Sequence, residues 1–326
     1  MLDSSMLDAR LLDVQRLTTT FATRDGCVRA VDEVSFWLRP GETLGLVGES
    51  GSGKTITALS IARLVQPPGS IAGGRVLFEG RDLLQLSERE MREVRGARIS
   101  LVLQEPSTAL NPVFTIGDHL AEAMRVHGVS RRDARDRALD LLAAVKLPDP
   151  AEHLRRYPHE LSGGMRQRVV IALALACRPS LVIADEPTTA LDATIQALVL
   201  DLLRDMRSAF GVSLLLITHD LGIVAGMADR VAVLYAGRVV EQGAVRDLFR
   251  APAHPYTRAL MASLPERAVG RRLTAIEGGV PSMHSRPRGC AFAPRCKERL
   301  PVCDMAAPPL TMSGAREVRC HLHPSC

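Results

Sequence analysis

The stretch Gly48-Glu49-Ser50-Gly51-Ser52-Gly53-Lys54-Thr55 stands between an apolar run, Thr43 to Val47, and a helical pattern that begins near Gly53, runs through Ile61-Ala62-Arg63-Leu64 and stops before Pro67-Pro68-Gly69. Strand, glycine loop and helix in that order are what a phosphate-binding loop requires. The glycines let the backbone curl so that successive N–H groups point inward at phosphate oxygens. Lys54 adds a charge toward the β and γ groups, and Thr55 can ligate Mg²⁺. Of the 41 basic residues only 3 are Lys, so a Lys at this position reads as chosen for its chemistry.

Outward from the loop, Leu12 to Leu17 and Val34 to Leu38 are patterned as short strands, and Gly73-Gly74 predicts a turn into an edge strand, Arg75 to Phe78. Ile99 to Leu103 is a further short strand, after which Asn111-Pro112 to about Tyr157 turns helical. Its apolar residues are Leu120, Met124 and Val126 on one stretch and Ala138, Leu141, Leu142 and Val145 on another. Leu181 to Ala184, Ser213 to Ile217 and Val231 to Tyr235 read as strands and Ile195 to Arg207 as a helix. Alternating strands and helices predict a parallel α/β core, and no internal repeat is present.

A second phosphate grip is written at Leu161-Ser162-Gly163-Gly164-Met165-Arg166-Gln167-Arg168. A Ser-Gly-Gly turn that opens a helix presents unpaired backbone N–H groups suited to an anion. Two such grips on one chain imply that one serves a neighbour's nucleotide. Asp185-Glu186 closes the strand from Leu181, where an Asp can reach Mg²⁺ through water and a Glu can orient or deprotonate the attacking water. Alone, an Asp-Glu pair at a strand exit is a solvated surface feature. Gln104 and His219 would likewise pass for surface or packing residues in isolation.

From Leu11 to about Gly243 the chain resembles the ATP-binding-cassette family, whose paired cassettes sandwich two ATP molecules between one subunit's phosphate loop and the other's signature turn. The resemblance implies a P-loop NTPase fold of α/β class, with a parallel-sheet core, a small antiparallel β subdomain and a helical subdomain. It makes Gly48, Glu49, Ser50, Gly51, Ser52, Gly53, Lys54 and Thr55 the ATP-binding loop and Ser162, Gly163 and Gly164 the grip on the partner's ATP. It makes Glu186 the catalytic base, His219 the switch histidine at the γ phosphate, and Thr55, Gln104 and Asp185 the Mg²⁺ ligands. Asp192, in Ala190-Leu191-Asp192, matches a loop crossing the dimer interface. Phe21 is the candidate for stacking on adenine, with the Asp25-Gly26 insertion before Val31 shifting that alignment. Met165 stands where the commonest signature has Gln, a form similar to that of one member of an unlike ATPase pair, so a heterodimer is expected.

With 326 residues and 46% hydrophobic content, the chain is expected to form a soluble globular protein with a full core. No apolar run reaches the roughly 20 residues of a membrane helix, and Met1 to Arg10 lacks the pattern of a signal peptide, so a cytoplasmic location is expected. The net charge of +5 is uneven: residues 1–245 carry 28 basic and 30 acidic side chains, residues 246–326 carry 13 and 6. No nucleic-acid-binding motif accompanies that basic tail, which reads as a solvated surface.

The tail itself, with Ala253-His254-Pro255-Tyr256-Thr257-Arg258-Ala259-Leu260 and Gly289-Cys290-Ala291-Phe292-Ala293-Pro294-Arg295-Cys296, resembles the C-terminal extension of oligopeptide and dipeptide importer ATPases, a group that includes nickel importers. Cys290, Cys296, Cys303 and Cys320 are separated by five, six and sixteen residues, with no Cys-x-x-Cys pair. Four thiolates suit an iron–sulfur cluster or zinc, and unmetallated thiols are the third alternative. The resemblance implies a [4Fe–4S] cluster, with His321, His323 and Cys326 as spare ligands; Cys27 and Cys177 read as small buried residues.

The expected organisation is an N-terminal tail (1–10), an ATP-binding core with the β subdomain (11–104), a helical subdomain (105–160), the signature helix with the second part of the core (161–243) and the Cys-rich extension (244–326). The family further implies a second, non-identical ATPase, two membrane permease subunits and an extracytoplasmic peptide-binding protein as partners, with this chain peripheral on the cytoplasmic face of the membrane. The rival reading is a soluble cassette acting on DNA, ribosomes or cofactor assembly; such proteins carry tandem cassettes or a long coiled coil, and this chain has neither. A redox-sensing role for the tail is compatible with transport.

Overall fold

The computed structural model describes residues 10–105, 109–189, 191–264, 276–282 and 287–323. The described residues of Met1–Arg39, Thr43–Leu84 and Leu216–Cys326 form one compact unit, and those of Pro40–Glu42 and Gln85–Leu215 a second. Met1 to Ala9 of the N-terminal tail, Ala190 of the Ala190-Leu191-Asp192 loop and Cys326 lie outside the described residues.

In the first unit, β1 (Leu12–Thr23), β2 (Gly26–Leu38), β4 (Gly69–Phe78) and β5 (Arg81–Asp82) form an antiparallel sheet in the order β2-β1-β4-β5. Alternate inward residues, among them Leu12, Val14, Leu17, Val34, Phe36 and Leu38, are buried, which is the period-2 pattern of a half-buried strand. Gly73-Gly74 makes no turn, contrary to expectation. β4 runs straight through it, and the irregularity is taken up as a register shift between Gln15 and Thr18 on β1. Nor is Arg75 to Phe78 at the edge, since β1 and β5 flank it.

The same unit holds β3 (Thr43–Val47), parallel to β9 (Arg230–Tyr235), with β10 (Arg238–Ala244) and the short β12 (Arg316–Val318) and β11 (Thr311–Ser313) continuing antiparallel beyond β9. The sheet is therefore mixed rather than wholly parallel. β3 is buried along its whole length, as a strand covered on both faces must be. The helix after the phosphate loop is Lys54–Ile61 and ends earlier than the pattern suggests, because Arg63 turns into the left-handed region at φ 53°.

Tyr235, Tyr256 and Phe292 pack as one aromatic knot with Val47, Val231, Val233 and Leu248. Two of the three rings come from the C-terminal extension, so its core is shared with the strands around the phosphate loop. Glu241 ties the extension down: its buried carboxylate accepts from the N–H groups of Ala253 (2.8 Å) and His254 (2.9 Å) and from Arg316 (3.4 Å).

In the second unit β6 (Ile99–Val102) lies parallel to β7 (Leu181–Asp185). The helical stretch resolves into Ile116–Val126, Arg131–Ala144 and Pro150–His153, and the first two pack against the helix Gly163–Leu175. Leu120, Met124, Ala138 and Leu142 are buried, but Val126, grouped with the first two by pattern, is 73% exposed at its helix end. The strand β8 (Ser213–Thr218) carries the chain from the second unit into the first.

Candidate functional site

β3 delivers the chain directly into the phosphate loop, and Gly53 caps the following helix with φ 102°, a conformation that side chains rarely adopt. A Cβ there would also meet the Ala30 carbonyl at 2.5 Å, and one at Gly48 would meet the Leu234 carbonyl at 2.2 Å. The loop is thus pressed between β2 and β9. Ser52 strengthens the seat by accepting from the Gly237 N–H at 2.8 Å through its carbonyl. Its buried side-chain hydroxyl has no partner among the described residues. The ammonium of Lys54, 5% exposed, donates to the carbonyls of Gly48 (2.7 Å) and Glu49 (3.0 Å), while Thr55 is exposed at the helix start. A buried ammonium, an unpartnered hydroxyl, an exposed Thr and the curled backbone fit a Mg²⁺-bound triphosphate.

Glu49 meets the extension in a way the sequence did not announce. Its carboxylate accepts from Nη1 of Arg295 at 3.0 and 3.2 Å, and its N–H donates to the hydroxyl of Tyr256 at 3.0 Å. The side chain of Arg295 is 5% exposed and donates further to the hydroxyl of Tyr235 (3.3 Å) and the carbonyls of Glu277 (3.0 Å) and Ile276 (3.2 Å). Burial works against its charge, but the bonds to Tyr235 and Glu49 outweigh that and raise its pKa. Burial also pushes the phenols of Tyr256 and Tyr235 up, keeping both neutral.

Two further expected residues fall in this unit. Phe21 lies on β1 with its ring against Gly69, so the side chain is partly committed to packing. His219 is exposed just after β8, and the next residue, Asp220, caps the helix Leu221–Met227.

In the second unit, Asp185 is buried at the end of β7 and Glu186 follows in the left-handed region at φ 47°. Backbone strain of that kind concentrates where a side chain must be aimed. The Glu186 carboxylate accepts from the Thr189 hydroxyl at 2.7 Å, and Gln104 Nε2 stands 3.5 Å away. Ser162 caps the helix Gly163–Leu175, its hydroxyl accepting from the Met165 N–H at 3.3 Å, and no acidic residue occupies the first turn. A Cβ at Gly163 would meet nothing within 4 Å, so the chain's own packing does not require glycine there. Asp192 caps the helix Ala193–Phe210 by accepting from the N–H groups of Thr194 and Ile195, both at 3.0 Å.

The model of the ABC transporter family matches residues 31–189, and that of the oligopeptide/dipeptide transporter C-terminal region matches residues 240–303. A probable peptide ABC transporter ATP-binding protein of Sinorhizobium fredii is 53% identical over 92% of this chain and 91% of its own length. The chain belongs to the ABC transporter family. The dipeptide transport ATP-binding protein DppD of Bacillus subtilis is 50% identical over 96% of this chain and 95% of its own. A solved dimeric ATP-binding cassette bound to ADP and Pi has a TM-score of 0.64 at 27% identity, covering 72% of this chain and 99% of that one.

Beyond the ABC cassette, the four tail cysteines form no disulfide, with Cys303 and Cys320 buried; Cys27, expected to be buried, is instead exposed on β2, and Cys177 is half-buried after the helix Gly163–Leu175. Burial raises the pKa of Cys290, Cys296 and Cys320, the last to about 11, and each is raised further by its cysteine neighbours. Backbone N–H groups oppose that rise: Phe292 and Ala293 toward Cys290, Glu298 toward Cys296, Leu322 toward Cys320. The four thiols thus share one electrostatic neighbourhood. Among the described residues, however, no three His, Cys, Asp or Glu side chains stand close enough together to hold a metal ion.

Proposed function

We propose that this chain is the ATP-hydrolysing subunit of a peptide importer. It binds Mg²⁺·ATP, closes against a second, non-identical ATPase and couples hydrolysis to the uptake of dipeptides or oligopeptides through two permease subunits supplied by an extracytoplasmic binding protein. It works at the cytoplasmic face of the membrane as a peripheral subunit. Among the described residues no helix is long and apolar enough to cross a membrane. The observation that carries the reading is the peptide-type C-terminal region at residues 240–303 on the same chain as the cassette.

The residues divide the work. Lys54 and the loop N–H groups hold the phosphates, Thr55, Asp185 and Gln104 hold Mg²⁺, and Glu186, aimed by Thr189, takes the proton from the attacking water. His219 contacts the γ phosphate, Phe21 the adenine, and Asp192 the dimer interface. Gly163 supports the trans grip of Ser162, Gly163 and Gly164, since its bareness serves nothing inside the chain. The segment 105–160 transmits the motion to the permeases, and the exposed Val113 and Phe114 beside its first helix suit that contact.

Cys290, Cys296, Cys303 and Cys320 are read as the ligands of a [4Fe–4S] cluster, with zinc as the alternative. Four thiols with N–H groups directed at three of them are a soft donor set suited to either. Because no three such side chains stand together among the described residues, loading would have to draw the sulfurs together. Bound metal would staple a segment poor in apolar side chains.

A strain lacking this chain should lose uptake of a labelled dipeptide, and Glu186→Gln should fail to restore it while still binding ATP. Undiminished uptake, or full restoration by the variant, overturns the reading.

A further inference from the structure

We propose that Arg295 is a positioning residue of the ATP site: by pairing with Glu49 it neutralises and anchors the second residue of the phosphate loop. The C-terminal extension is then a working part of the nucleotide grip. The proposal rests on reading Gly48 to Thr55 as the phosphate loop.

Glu49 puts a carboxylate on the second residue of the loop that must hold a triphosphate, directly after Gly48 and five residues before Lys54. Uncompensated, it would repel the phosphates and compete with them for the ammonium of Lys54, whose nitrogen already lies 3.0 Å from the Glu49 carbonyl. Arg295 removes both problems at once. Its guanidinium touches both carboxylate oxygens, at 3.0 and 3.2 Å, in surroundings only 5% exposed on its own side and 26% on that of Glu49, where solvent screens little.

The pairing is geometrically committed. Nη1 also reaches the Tyr235 hydroxyl, Nε and Nη2 donate to the carbonyls of Glu277 and Ile276, and the residue closes the short turn Ala293–Arg295 beside Phe292 in the aromatic knot. Tyr256, from the same extension, holds the Glu49 N–H. Glu49 is therefore tethered at three points: its carboxylate and its N–H to the extension, its carbonyl to Lys54.

A purely structural ion pair and a positioning pair make different demands on ATP. In the full-length chain assembled with its partner subunits, Arg295→Ala should raise the KM for ATP about tenfold, the scale of one lost charge-assisted contact, with kcat changed by no more than about twofold. Adding Glu49→Gln to that variant should recover most of the affinity, because the repelling charge is then gone. Binding of Mg²⁺·ATP to the full-length chain, followed by calorimetry, should show the same order. If Arg295→Ala does not accumulate as folded protein, Arg295→Gln removes the charge while keeping donors for the Ile276 and Glu277 carbonyls and carries the same test. An unchanged KM, or a loss that Glu49→Gln does not repair, overturns the proposal. Lys54→Ala separates the two levels: if it leaves ATP affinity intact, the loop reading fails and this proposal with it; if it weakens binding while the Arg295 variants do not, this proposal alone fails.

Discussion

Arg295 and Glu49 lie 246 residues apart along the chain and 3.0 Å apart in space, joined as a nearly buried ion pair at the mouth of the phosphate loop. Around that contact Tyr235 from β9 meets Tyr256 and Phe292 from the extension. The strands that form the loop and the tail that follows them by sequence are thus one packed body. Buried pairs of this type are costly to break by removing one partner, which leaves the other charge uncompensated.

Gly163 offers a test of the signature turn that leaves the fold alone. A side chain there meets no atom of this chain, and an acid in the first turn of a helix contributes about 0.3–1 kcal/mol through the helix dipole. Gly163→Asp should therefore leave the thermal midpoint of the isolated chain unchanged or slightly raised. In the assembled complex the same carboxylate would oppose the partner's phosphates, and ATP hydrolysis should fall by at least about tenfold. Normal turnover would remove the signature turn from the site.

The Thr189 hydroxyl is 2.7 Å from the carboxylate of Glu186 and is the natural lever on its orientation. Thr189→Ala removes one hydrogen bond, about 1 kcal/mol, so kcat should drop roughly fivefold with the KM for ATP little changed. A change confined to KM would point to a role in binding instead.

His254 links acidity to the seat of the extension. It is buried with a pKa lowered to about 3, chiefly by burial and then by the nearby positive charges of Arg258 and His323. Its Nδ1 accepts from the Tyr256 N–H at 3.0 Å, which only the neutral ring can do. Because the folded pKa lies below the unfolded value near 6.5, the contribution is complete above that pH and is lost as the pH falls toward 3. Stability should decline by about 1.4 kcal/mol per pH unit between about pH 6 and 4. His254→Asn, which can still cap the helix Pro255–Ala262, should flatten that slope in denaturant titrations.

Iron analysis tests the cysteine reading directly. Chain prepared without oxygen should contain about four iron and four sulfide per molecule, and Cys296→Ser should lose them while leaving Lys54-dependent ATP binding in place. Stoichiometric zinc without iron would replace the cluster with the alternative, and absence of both metals would dismiss each.

The sequence made some of this plain and concealed the rest for definable reasons. Leu44 to Val47 and Leu181 to Ala184 are unbroken runs without a polar side chain, so strands buried on both faces were legible, as was Ser162 at the start of its helix. β10 was not, because Glu241 and Gln242 lie in its middle. Both are buried, and nothing local reveals that the Glu241 carboxylate is satisfied by N–H groups of Ala253 and His254. Gly73-Gly74 looked like a turn because glycine pairs often are, whereas a neighbouring strand absorbs the irregularity here. Thr189 and Arg295 carried no signal at all. Each acts on a motif residue through a side-chain contact, and for Arg295 that contact spans most of the chain.

The aromatic knot also sets a limit on how this subunit can be cut. A protease that clipped the chain between Ala244 and Tyr256 would strip Tyr256 and Phe292 from Tyr235, bare an apolar hollow and release the Glu49 carboxylate toward the nucleotide. A clipped molecule would lose its hold on ATP before its cassette strands came apart, so damage at the far end of the polypeptide would silence the motor rather than leave it idling without cargo.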